Sequence, residues 1–414
     1  MSSSLPKKSF VILFGIYILV SQVILPLASP LRVLGVVSPG EIRNIILPPL
    51  LILMVLVIGL RTSFLLRSYL HLVLLIVFII SMLVGLPNFM DGYYREYFSH
   101  LFQLFSAFVM LNVGWFAVDL LKDDFWKKTV FFSLISILIS TFITLVLLGS
   151  GDVGRLYTPA YGFILVAAYS IYYSNLYSVL TMLGLFLSNK RAPMLSVFII
   201  FISYFLVGLF HKKRFKLDFI VKRSTFFIIF SVIFSFCSLL FLYGWAKLPE
   251  NQDNGLAMAI NITTSRLETT LNNDNSDYDI TAGRLDEVNI AMSSLNFYDY
   301  FLGSGAGWSI NVGEDKEVQN IHFTPLSITA VFGAPFALFL YLYFVYIILK
   351  SILIKKDGKD NFLIISNIAP YYILGALIHS LFAYSLFIDW LVFFFIGVAQ
   401  KNILIGGGKG GNFK

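Results

Sequence analysis

The chain has 414 residues, of which 58% are apolar, 17% aromatic and only 13% charged, and its mean hydropathy is +0.82. The length would allow two or three soluble domains, but there is too little polar sequence to cover them. The net charge of +7 is therefore no nucleic-acid signal, and the position of each Lys and Arg relative to a membrane becomes the question.

The apolar sequence comes in long unbroken runs, such as 45–60, 70–86 and 225–245. A β-barrel would instead show alternating segments of about ten residues. The expected fold is all-α: a polytopic integral membrane protein.

Lys7 and Lys8 precede the first run, which is long for the core of a signal peptide. An uncleaved anchor with its N-terminus inside is expected. Apolar spans follow at 10–29, 43–60, 69–87, 98–121 and 129–149, each suited to a bilayer core of about 30 Å. Residues 159–210 have room for two long helices or three short ones. Charge decides between them. Five spans leave the next loop outside, whereas the cluster Lys212, Lys213, Arg214, Lys216, Lys222 and Arg223 belongs inside. An odd number of crossings is needed, giving 159–173, 175–188 and 194–210. The spans 225–245, 323–349, 362–382 and 383–400 bring the total to about 12 transmembrane helices.

This topology puts 20 of the 30 Lys and Arg residues on the cytoplasmic side, as the positive-inside rule asks. The organisation is then 1–245 as transmembrane helices 1–9 and 246–321 as one large, partly helical outer loop. Residues 322–400 form helices 10–12, and 401–414 a cytoplasmic tail. The single cysteine, Cys237, can form neither an intrachain disulfide nor a Cys-rich metal site.

The outer loop carries 12 of the 23 acids and four basic residues. Its middle, 272–279, reads as a linker. After it, Leu285, Val288, Ala291, Met292 and Leu295 recur at helical spacing, with Thr281 as an N-cap. Asp286 and Glu287 sit at the start of that helix, where its dipole favours acids. Arg284 is four residues before Val288 and seven before Ala291, which puts it on the apolar stripe. A guanidinium there needs an anionic partner, either an acid of the loop or a substrate.

Lys190 and Arg191 stand in a tight outer turn. They are either a snorkelling pair at headgroup level or an anion site, where a guanidinium grips phosphate with two hydrogen bonds. Arg155 lies in the preceding outer loop. His322 stands where the long loop re-enters the membrane; it is either a structural helix-end histidine or a general base near neutral pH. His100 and His379 also fall towards the outer side. Asp389, within the last predicted span, is expected to face the bundle interior. The glycines of Leu302-Gly303-Ser304-Gly305-Ala306-Gly307-Trp308 lack a preceding strand and a following Lys-Ser/Thr, so a tight turn with positive φ is expected instead of a nucleotide loop. No zinc, EF-hand, Walker or nucleophile-elbow spacing occurs.

Several of these features coincide. An outer turn, Leu187-Ser188-Asn189-Lys190-Arg191-Ala192, leads into an apolar helix. The long loop carries Thr281-Ala282-Gly283-Arg284-Leu285, an amphipathic helix and the glycine run, closes on Asn320-Ile321-His322-Phe323, and is followed by Val331-Phe332-Gly333-Ala334. The arrangement resembles the bacterial O-antigen polymerase and O-antigen ligase superfamily, membrane glycosyltransferases that act on undecaprenyl-diphosphate-linked glycans. The likeness covers the topology of nearly the whole chain, with its specific residues confined to 188–335.

The resemblance implies a transfer without metal or cofactor at the periplasmic face of the bacterial inner membrane, with both termini cytoplasmic. The donor and acceptor would be lipid-linked oligosaccharides. A chain-length regulator and a flippase are implied as protein partners, and no nucleic acid. Arg191 looks like the arginine of the family's Ser/Thr-x-Arg turn, Arg284 like its loop arginine and His322 like the histidine of its His-Asn pair. Arg155 resembles the arginine before its short mid-chain helices. In two departures, Lys190 stands where Thr or Ser is frequent and Phe323 replaces the Asn. The implied roles are diphosphate binding for Arg191 and Arg284, with Arg155 and Lys190 as further substrate contacts, and proton acceptance by His322. Trp308 and Tyr298 are candidates to stack on sugar rings. Direct attack implies inversion at the anomeric carbon. The 303–307 run is closer to the polymerase side. The alternatives are a ligase that transfers polysaccharide to lipid A-core and, in another class, a lipid-linked glycan flippase. A flippase would favour ionisable residues along mid-membrane helices.

Overall fold

A computed structural model describes residues 5–32, 35, 39–59, 68–150, 160–188, 191–212, 233, 237–238, 240–251, 254–255, 257–258, 260–261, 284–311, 317–353, 364–383 and 386–408. These residues are mostly helical. Helix α1 (Leu5–Leu19) continues through a π segment (Val20–Ile24) into α2 (Leu25–Leu31), followed by α3 (Pro39–Gly59), α4 (Tyr69–Val84), α5 (Leu86–Met90) and α6 (Tyr94–Leu120). Next come α7 (Asp123–Gly149), α8 (Ala160–Tyr173), α9 (Asn175–Ser188) and α10 (Arg191–Lys212). Later in the chain lie α11 (Arg284–Ser294), α12 (Phe297–Leu302) and two short antiparallel strands, β1 (Ile310–Asn311) and β2 (Glu317–Val318). The series closes with α13 (Thr324–Phe332), α14 (Ala334–Leu353), α15 (Ile364–Ser380) and α16 (Leu391–Gly408).

Among the described residues, five helices are long and apolar enough to cross a membrane: Lys8–Leu31, Glu41–Ile58, Tyr94–Leu120, Asp123–Gly149 and Ala334–Leu353. Six shorter apolar helices of 10–17 residues accompany them. Residues 159–210 form three helices, α8 to α10. Most of 225–245, and the loop's middle at 272–279, lie outside the described residues.

Two predicted spans are built differently from the expectation. The apolar run 323–349 is divided at Gly333, whose φ of 88° ends α13. A Cβ there would lie 2.4 Å from the Phe301 carbonyl oxygen, and Pro335 sits in the first turn of α14, where its missing N–H costs nothing. The last helix begins at Leu391 and not at 383, so Asp389 precedes it, and the same helix runs to Gly408. Hydropathy is blind to the first change because the residues stay apolar across it.

The chain packs as two compact units, one made of Met1–Val57 and Leu121–Tyr278 and the other of Ile58–Leu120 and Asp279–Lys414. In the first, the π segment precedes Pro26, which has no N–H for the turn before it. Ser136 of α7 donates to the Val23 carbonyl in that segment (2.7 Å). Helix α8 is buried along Phe163–Ala168, against α7, α9 and α10.

In the second unit α6 and α16 form the most extensive helix pair. Small residues let their backbones touch. A Cβ at Gly114 would lie 1.9 Å from the Phe394 carbonyl oxygen, and one at Gly397 would lie 2.1 Å from that of Leu111.

Candidate functional site

The second unit holds the segment from α11 to α13 against the N-terminal half of α6. Helix α12 starts with a complete capping box. Asn296 accepts the N–H groups of Tyr298 (2.8 Å) and Asp299 (3.1 Å), and Asp299 accepts that of Asn296 (3.0 Å). The glycine run that follows turns with φ of 80°, 79° and 92° at Gly303, Gly305 and Gly307, the tight turn expected from the sequence.

That turn is a structural plug. Its N–H groups at Ser304 and Gly305 donate to the Ala330 and Val331 carbonyls of α13 (2.7 and 3.1 Å), and Ala306 donates to Ser81 of α4 (3.0 Å). Asn88 returns its amide to the carbonyls of Ser304 and Ala306, both at 3.0 Å. Ala306 is buried among Tyr97, Leu101, Phe78, Met82 and Phe89. A Cβ at Gly305 would come within 2.3 Å of the Gly85 nitrogen, so only glycine fits.

Two side chains one turn apart on α6 extend the clamp. Gly307 donates its N–H to His100 Nδ1 (3.1 Å). The neutral ring therefore carries its proton on Nε2. Gln319 donates its amide to Glu96 Oε1 (2.6 Å). Thus His100 is a buried strut. Beyond Gln319, Ile321 is fully buried and Thr324 bonds the Ala383 carbonyl (2.6 Å). His322 lies between these two fixed points.

His322 faces Glu287 of α11. Its Nδ1 is 2.7 Å from Glu287 Oε2, and the same oxygen accepts the His322 main-chain N–H (3.3 Å). The imidazole is 48% exposed and the carboxylate 14%. Nε2 makes no hydrogen bond among the described residues. A carboxylate on Nδ1–H fixes the tautomer, leaves the Nε2 lone pair to accept a proton, and stabilises the cation that forms.

Glu287 as the partner of His322 was missed in the sequence. Its signal was its register, four residues before Ala291 and eight before Leu295, the two buried positions of that stripe. The packed face of α11 thus includes Glu287 and Val288, while Leu285 and Met292 are 58% and 50% exposed. Arg284 is the first residue of α11, one turn before Glu287, and its side chain lies outside the description.

Trp308, the other candidate to stack on a sugar, is 7% exposed. Tyr298 on α12 is 75% exposed beside the equally open Phe297. Arg191 opens α10 in the other unit, with its side chain outside the description. Lys190 and Arg155 lie outside the described residues altogether.

Asp389 takes its partners from its own surroundings. Its buried carboxylate accepts the Tyr372 hydroxyl and, at 3.2 Å, the N–H of Leu391 at the start of α16. Among the described residues no group of His, Cys, Asp and Glu could hold a metal ion. Comparison with known proteins returns nothing: no family model, no curated protein and no solved structure matches this chain.

Proposed function

We propose that the chain is an O-antigen polymerase, a metal-independent inverting glycosyltransferase that joins undecaprenyl-diphosphate-linked repeat units. In this reading it spans the bacterial inner membrane about 12 times with both termini cytoplasmic, and residues 246–321 are periplasmic. The observation that carries the reading is the Glu287–His322 pair, a half-exposed imidazole oriented by a shielded carboxylate on the helix that Arg284 opens. The polar neighbour that the resembled family places after its histidine is absent at Phe323, and Glu287 supplies one from α11.

The chemistry follows from these groups. His322 Nε2 takes the proton of an acceptor sugar hydroxyl as its oxygen attacks the anomeric carbon of the donor. The bond from that carbon to the diphosphate breaks, and undecaprenyl diphosphate leaves with the electron pair. The leaving group is already good, so the enzyme's work is to orient the reactants and stabilise the developing negative charge. Arg284 and Arg191 carry that charge stabilisation, with Lys190 and Arg155 as further diphosphate contacts. Tyr298, exposed on α12, is the ring that stacks on a sugar. An α-linked donor yields a β-linkage.

The test is a reconstituted reaction with one lipid-linked repeat unit as sole substrate, read as a gel ladder. A ladder supports polymerisation. Label appearing only on added lipid A-core would make the chain a ligase, and flipping without transfer would make it a transporter.

A further inference from the structure

Helix α12 has its apolar face turned away from the protein. Phe297, Tyr298, Phe301 and Leu302 fall at a spacing that puts them on one side of a helix. All four are exposed, Phe297 at 79% and Phe301 at 62%. The half-buried positions are the two between them, Asp299 and Tyr300. Asp299 closes the capping box, and Tyr300 donates its hydroxyl to the Met292 carbonyl of α11 (3.2 Å). This is the reverse of a surface helix in water, and an exposed apolar face of this kind marks a contact with something apolar.

The neighbours of α12 indicate what that is. It packs against α13 and α14, and its Phe301 carbonyl lies against Gly333, the residue before α14. Helix α14 is one of the five long and apolar enough to cross a membrane. Leu338, Leu342, Val345, Leu349 and Leu353 are exposed along it, a stripe at spacings of three and four residues that suits contact with hydrocarbon. Leu338 is the fifth residue of α14, about 6 Å from its start, so α12 stands beside the very end of a span. On the other side of the glycine turn, a Cβ at Gly307 would lie 2.7 Å from Asn88 and 3.5 Å from Tyr97. Tyr94 and Phe98, to either side of Tyr97 in the sequence, are exposed on α6. Aromatic residues gathered at one end of the spans are the composition of a membrane–water interface.

We propose that α12 is embedded in the membrane surface. Phe297, Phe301 and Leu302 enter the acyl boundary where the stripe of α14 begins, and the Tyr298 hydroxyl stays at headgroup level. Residues 285–311 contain no Lys or Arg, so the contact is apolar and needs no anionic lipid. The segment from α11 to α13 is thereby held against the bilayer. The inference requires only that α14 spans a membrane and is independent of the glycosyl-transfer reading.

The experiment is spin-label accessibility in the full-length chain, reconstituted in phosphatidylcholine liposomes. Cys237 is the only cysteine, so Cys237→Ser is the background for the single variants Phe297→Cys, Phe301→Cys, Leu338→Cys and Asn289→Cys. Leu338 is the lipid reference, and Asn289, exposed on α11, is the aqueous one. Each nitroxide is read by its collisions with oxygen, which concentrates in the bilayer, and with a water-soluble nickel chelate. Labels at 297 and 301 are expected to follow 338, with an oxygen-to-nickel ratio at least about threefold above that at 289. A ratio equal to that at 289 would put the helix in water and overturn the proposal. Low collision with both reagents would mean that protein covers the face, and would overturn it too, as would nickel-dominated collisions at 338.

Discussion

Oε2 of Glu287 accepts from His322 twice, through the ring at 2.7 Å and through the main chain at 3.3 Å. One carboxylate therefore fixes both the rotation of the imidazole and the path of the backbone that carries it. Under the proposed mechanism the two residues act as a unit, and such units are non-additive on mutation. Glu287→Gln is expected to lower the transfer rate on the order of 10²-fold with little change in KM. Added to His322→Ala, it should cost almost nothing more. A full additive loss in the double variant would separate Glu287 from the histidine.

Backbone conformation gives a second expectation. Gly305 has φ of 79° and no room for a Cβ against Gly85. Gly305→Ala should cost at least about 1–3 kcal/mol from the strained conformation alone, with more from the clash. A thermal melt in detergent is the measurement, and an unchanged Tm would mean that the turn is not held as described.

Helix contact between α6 and α16 predicts a third. Gly114→Leu must separate backbones that now touch at Phe394, so the variant should lose stability by more than a typical substitution of about 1 kcal/mol. Chemical denaturation in detergent would show it. A Gly114→Leu protein as stable as the parent would contradict this packing.

The buried Asp389 carboxylate supplies a fourth. Tyr372→Phe removes one of its donors, which should cost about 1–3 kcal/mol for the buried acceptor left short of a partner. Adding Asp389→Asn removes the acid and should recover part of the loss. If the double variant is no more stable than Tyr372→Phe, the pair is not coupled in this way.

What could be read from the sequence follows from what each signal measures. Apolar run length marks helices, and charge parity resolves 159–210 into three; α8, α9 and α10 stand there. Glycines at every second position from 303 mark positive φ because no other residue adopts it freely. The break at Gly333 was invisible because hydropathy does not change across it. Periodicity found α11 but not which of two adjoining faces packs, so Glu287 read only as an acid near a helix start. Its partner is 35 positions away, and no local pattern carries that distance. Asp389 was expected to face inward, and it is buried, with the Tyr372 hydroxyl among its partners. Trp308 was assigned from residue type alone, which says nothing of the turn that buries it.

The central claim is that His322 takes the acceptor proton. It is tested most directly by the rate of first-linkage formation in a single-turnover reaction of the purified chain and of His322→Ala, at equal abundance and equal Tm. The account predicts a fall of about 10²- to 10⁴-fold in the variant, with the new linkage from wild type inverted at the anomeric carbon. An unchanged rate, or retention of configuration, would contradict it.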